Sequence, residues 1–203
     1  MPVFVLVLIV IFKFMLGFEK DKFRYKKDLI LDISIDVIVY YILYYLLGIL
    51  IGFARNENFL TVYGITKFII PLIISIIGKE YLRYGLLRKC GNNKKLINLT
   101  TVMFIFMDIT YALSMYNFNS QYNTIVFLGI NFLPSVTRNI YLSYISMKEG
   151  YKPGIGFLLL YNLPMYILPI IPNPSVYMKS VIDFIVPAWF LFKSLNFYRK
   201  NII

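Results

Sequence analysis

The chain has 203 residues, 59% of them hydrophobic and 15% charged, with a formal charge of +11, no histidine and one cysteine. Its mean hydropathy is +0.70, a balance that excludes a soluble domain. The missing histidine excludes an H-E-x-x-H zinc site, a histidine general base and histidine-dependent intramembrane serine proteolysis, and Cys90 alone excludes an internal disulfide or a thiolate zinc cage.

The apolar residues gather in blocks of about twenty, the length a helix needs to cross roughly 30 Å of hydrocarbon. They do not alternate with period two, as barrel strands do. The expected fold is therefore all-α: one polytopic membrane helical bundle over residues 1–203, with about seven transmembrane helices.

A first span is expected at 3–18, interrupted by Lys13. It has neither a basic region ahead of it nor a small-residue cleavage pattern behind it, so it reads as retained. The segment from Glu19 to Asp28 carries five basic and three acidic residues and reads as a cytoplasmic loop. The second span, 29–53, ends with Gly48 and Gly52 four apart, a spacing that can admit a neighbouring helix. After the connection Ala54 to Asn58, a third span at 59–78 holds Pro71, expected to kink it, and Lys67 one turn earlier. The following stretch, Lys79 to Asn98, has six basic residues; Glu80 to Leu87 reads as an amphipathic surface helix before a turn at Cys90 to Asn93.

The fourth span, 99–116, carries Asp108 near its middle, and the fifth, 124–147, carries Pro134, Arg138 and Asn139. A polar turn from Lys148 to Gly154 leads to a proline-rich sixth span, 155–171, followed by the rigid connection Pro172 to Ser175. The seventh, 176–195, contains Asp183 and Pro187.

Charge orients this arrangement. The loops after spans one, three and five, with the tail, hold fifteen Lys and Arg residues, whereas the opposite side holds only Arg55 and Lys179. Basic residues collect on the cytoplasmic side, so the N-terminus is expected outside and the C-terminus in the cytoplasm of a bacterial cell membrane. The same distribution accounts for the positive surplus without nucleic acid as a partner. The expected partners are the lipid bilayer and anionic lipid at the basic loops.

The candidate site is built from intramembrane charges: Arg138, Asp108, Asp183 and Lys67. Eleven strongly apolar residues in the Arg138 span contribute roughly −0.3 to −0.6 kcal/mol each, against about +3 kcal/mol for the arginine and further costs for Asn131, Asn139 and Pro134. The sum lies near zero, so that helix needs neighbours, and Asp108 or Asp183 is the expected partner of Arg138. The alternatives for these charges are a packing ion pair or a polar substrate or ion site. Asp32 and Asp36 share a helix face and are weak candidates for a divalent cation, because the D-G-x-x-A-R element of CDP-alcohol-type transferases is missing; interaction with the neighbouring basic loop is the stronger reading. Asp108 with Asp183 meets the two-carboxylate minimum of an aspartyl intramembrane protease, but its G-x-G-D pattern is absent. No catalytic residue, metal or cofactor is expected.

Three stretches, GKEYLRYGLLRK, LPSVTRNIYLSYI with GYKPGI, and YILPIIPNPSVYMKSVIDFIVP, together resemble the multi-spanning N-terminal membrane region of long type I signal peptidases from low-GC Gram-positive bacteria, over about Asn56 to Leu195. The resemblance implies a role in protein secretion, beside a peptidase domain that uses a Ser-x-Ser-Met-x-Pro nucleophile and a lysine base. Ser143 to Glu149, SYISMKE, has a Ser-Met pair but lacks the correctly spaced first serine and the proline, so no catalytic residue carries over. The reading is a non-catalytic membrane protein that positions a peptidase domain or secretory substrate. The alternative is a small-molecule-binding subunit of an energy-coupling-factor-like transporter, partnered by a transport ATPase.

Overall fold

The computed structural model of the chain describes residues 26–56 and 59–201; the expected first span and Lys13 lie outside them. The described residues are all-α apart from one short ribbon. In order they form α1 (Lys26–Ile51), β1 (Phe53–Arg55), α2 (Val62–Cys90), α3 (Lys94–Leu113), α4 (Gln121–Glu149), α5 (Tyr151–Asn162), α6 (Pro164–Ile167), β2 (Ile170–Pro172) and α7 (Val176–Asn201). Within this set α1, α2, α4 and α7 are long and apolar enough to cross a membrane. Helix α3 has 20 residues and holds Asp108, whereas α5, with 12, is too short to cross. These two lie on the expected fourth and sixth spans.

Helix α2 contains a wide π-type turn at Ile65–Ile69, and α4 contains another at Leu128–Phe132. Each precedes a proline, Pro71 or Pro134. A proline inside a helix lacks an N–H and its ring collides with the carbonyl four residues back, here that of Lys67 or Ile130. Both carbonyls belong to the wide turns, so the helix absorbs its proline by locally widening.

The described chain divides into two compact units: one of residues up to Arg88 with Ser146–Asn173, the other of Lys89–Ile145 with Pro174 onwards. In the first, α1 presents Leu29, Ile33, Val37 and Tyr44 as a buried stripe, spaced four or seven residues apart along one face. It packs on α5, where Phe157 is wholly buried and Tyr161 lies 5.3 Å, ring to ring, from Tyr40. The opposite face of α1 is apolar and open, with Leu31 63% and Leu50 84% exposed, as a lipid-facing surface requires.

Several helix ends differ from expectation. Helix α1 stops at Ile51 rather than 53, because Gly52 takes a positive φ of 89° and turns the chain into β1. Gly48 packs under the ribbon: a Cβ there would meet the Phe53 ring at 2.5 Å and Pro172 at 3.0 Å. The small-residue pair thus serves a helix–ribbon contact. Helix α2 begins at Val62, with the Thr61 hydroxyl accepting from the Gly64 N–H at 2.9 Å, and runs unbroken to Cys90. Glu80 to Leu87 is therefore no separate surface helix, and Glu80, Leu82, Arg83, Tyr84 and Leu87 are buried. The polar turn expected over Lys148 to Gly154 contracts to Gly150, whose φ of 84° lets α4 pass directly into α5.

The expected sixth span ends early. Helix α6 stops at Ile167, and Ile170–Pro172 pairs antiparallel with Phe53–Arg55. Pro164 and Pro169 cannot donate backbone hydrogen bonds, and carbonyls left open near them need other donors. Asn56 donates to the Met165 and Leu168 carbonyls at 3.0 and 2.9 Å, Tyr41 to Tyr161 at 2.6 Å, and Tyr45 to Ile170.

In the second unit, Asn93 caps α3 by accepting from the Lys95 N–H at 3.0 Å, which starts that helix five residues before the expected span. Ile109, Ala112 and Phe127 form a core flanked by Tyr116 and Phe132. At Gly129, in the wide turn of α4, a Cβ would lie 2.8 Å from the Ser180 Oγ of α7, so this glycine sets a close helix approach. Further along, Tyr141 meets Phe190 with centroids 5.8 Å apart.

Candidate functional site

The second unit brings Arg138 and Asp108 together. Arg138 lies near the middle of the 29-residue α4, and its Nη2 donates to Asp108 Oδ2 at 3.1 Å across from α3. Asn139, entirely buried, donates its Nδ2 to the same Oδ2 at 2.9 Å and to the Ser135 carbonyl, one turn earlier, at 2.8 Å. Successive helix residues point about 100° apart, yet Arg138 and Asn139 both reach Asp108 because that carboxylate sits between their directions. A charged acceptor with two donors is stronger than a neutral pair and shorter in reach. One turn further on, Thr101 of α3 donates to the buried Ser143 hydroxyl at 3.0 Å. The two helices are thereby tied at two levels.

The remaining sequence candidates lie on other helices. Asp183 is half-buried on α7, and Lys67 is exposed within the wide turn of α2, in the first unit. Asp32 and Asp36 are half-buried at the margin of the α1 stripe, each one position before a buried residue, Ile33 and Val37. Among the described residues no three His, Cys, Asp or Glu side chains come together as a metal site.

Sequence reasoning missed a second polar group, in the first unit. Glu80 and Arg83 form an ion pair at 3.1 Å on α2 with side-chain exposures of only 1% and 2%. The ring of Tyr151 lies 5.6 Å from Tyr84 and 5.4 Å from Tyr81, so the start of α5 packs against this turn of α2. Ser146 and Glu149, one turn apart at the end of α4, are buried as well. The available signal was the i,i+3 spacing of opposite charges within Glu80 to Leu87, a stretch whose net charge is zero even though the surrounding loop is basic.

Chemically, the Asp108 group can hold a cation-bearing side chain in place at the centre of a long apolar helix. The Glu80 group can neutralise itself in a dry setting. No family model, curated protein or solved structure significantly matches this chain.

Proposed function

We propose that the chain is a seven-span module of a bacterial cytoplasmic membrane, N-terminus outside and C-terminus inside, which performs no chemistry of its own and positions a peptidase domain or a secretory substrate. Its basic loops meet anionic lipid. The reading draws on the resemblance to the membrane region of long type I signal peptidases. It is carried by one observation: the stretch where that resemblance is dense is also the most deeply buried. Asn139, Tyr141, Leu142, Ile145 and Phe157 are each at or below 1% exposure. Residues buried to that degree serve packing, which is what a positioning module requires of them.

Photocrosslinking tests this. A benzophenone side chain placed at an exposed α7 position such as Trp189 or Val181 is expected to capture a secretory precursor bearing an uncleaved signal sequence. Loss of the signal sequence should abolish the adduct; an adduct that persists, or none with any precursor, overturns the reading.

The wide turns before Pro71 and Pro134 favour a second reading, a small-molecule-binding transporter subunit. Broken helices line substrate sites in many transporters. That reading requires stable copurification with a transport ATPase, and the first does not.

A further inference from the structure

We propose that Arg138 forms an oxyanion-binding site within the apolar span of α4, for the carboxylate or phosphate group of a ligand. This goes beyond the positioning role and rests only on α4 lying in the membrane.

A guanidinium carries five N–H donors in a planar fork. Arg138 uses one nitrogen, Nη2, towards Asp108, and the oxygen it meets is already shared with Asn139. Among the described residues no other hydrogen bond or ion pair engages Arg138. Nε and Nη1 therefore remain available. The side chain is 31% exposed, whereas the neighbouring Asn139 is completely enclosed, so the open donors lie at the margin of the packed group and can be approached.

Hydrocarbon cannot satisfy these donors, so leaving them unmet there is unfavourable. The group that fits a guanidinium edge best is a carboxylate or phosphate with two parallel acceptors. Asp108 then acts as a counterion that keeps the empty site neutral and aims the fork, with Asn139 fixing Asp108. A bound anion would lie beside Asp108 and feel its repulsion, so affinity is modest and Asp108 opposes binding. Two sources share this chemistry: a small organic acid, or a lipid headgroup phosphate.

The test uses the full chain in nanodiscs of zwitterionic lipid. Equilibrium dialysis with labelled hexanoate probes the free acid, and native mass spectrometry after exchange into phosphatidylglycerol probes the lipid. Wild type is expected to bind one equivalent of one probe, which identifies the source. Arg138→Lys, which keeps the charge and loses the fork, should weaken binding roughly tenfold to a hundredfold. Asp108→Asn, which removes the repelling charge, should strengthen it about tenfold. These opposite signs separate a binding site from a packing pair, for which neither substitution changes ligand occupancy. Saturation by neither probe, or weaker binding in Asp108→Asn, overturns the proposal. Carbonate extraction of the same membranes reports separately on whether the chain is integral at all.

Discussion

Replacing Glu80 with leucine sets two accounts of the same residues against each other. If Glu80 and Arg83 lay on a surface helix, as the basic loop around them implies, their i,i+3 pairing would contribute only about 0.3–0.5 kcal/mol. With side-chain exposures of 1% and 2% and a separation of 3.1 Å, the pair belongs to the buried class. Removing one partner of a buried pair costs roughly 3–5 kcal/mol. Glu80→Leu and Arg83→Met should each cost about that much. The double variant should recover most of the loss, since replacing both charges by apolar side chains of similar volume is often neutral. Equilibrium unfolding in mixed detergent and denaturant, followed by circular dichroism, measures all four corners of the cycle. Two single losses below about 1 kcal/mol would refute the burial of this turn. So would a double variant as unstable as the sum of the singles, because it would mean that the charges do not compensate each other.

Three further outcomes are expected. Gly52→Ala forces a side chain into the positive-φ conformation that ends α1 and should cost about 1–2 kcal/mol in the same unfolding assay. Gly129→Ala should destabilise the contact with α7 by roughly 1–3 kcal/mol, and adding Ser180→Gly should restore it, because the clash at 2.8 Å is with the Ser180 hydroxyl. On the orientation proposed above, a cysteine at Asn92, in a Cys90→Ser background, should react with a membrane-impermeant maleimide in inverted vesicles and not in intact cells; the reverse result inverts the topology.

The long apolar blocks were legible because hydrocarbon thickness imposes a length on the sequence, and α1, α2, α4 and α7 follow it. Helix ends were not, because polarity was read as exposure. Lys79 to Cys90 is polar, yet it continues α2 and buries Glu80 and Arg83 against protein. The ribbon was invisible for a different reason: three-residue strands carry almost no local pattern, and Phe53–Arg55 meets Ile170–Pro172 only through their pairing across more than a hundred residues. Within the site, Arg138 and Asp108 stood out as charges in apolar surroundings, and their pairing was among the expected ones. Asn139 stood out only as a cost, since its value lies in a shared acceptor that no sequence spacing encodes.

The two wide turns bear on why these helices are built as they are. In α2 the turn begins at Ile65 and the proline is Pro71; in α4 it begins at Leu128 and the proline is Pro134, the same interval. Both helices run for 29 residues. Nine and twelve residues beyond its proline each carries two buried polar side chains, Glu80 and Arg83 in α2, Ser143 and Ser146 in α4. Positions three apart share a face, so each long helix has a widened, proline-bearing first half and a second half whose buried residues include a polar pair. A helix that only anchored a chain would need neither feature, because an unbroken apolar cylinder already satisfies its own backbone. The break and the buried polar pair recur in two separate helices at the same spacing, and Arg138 lies between the break and the serines of α4.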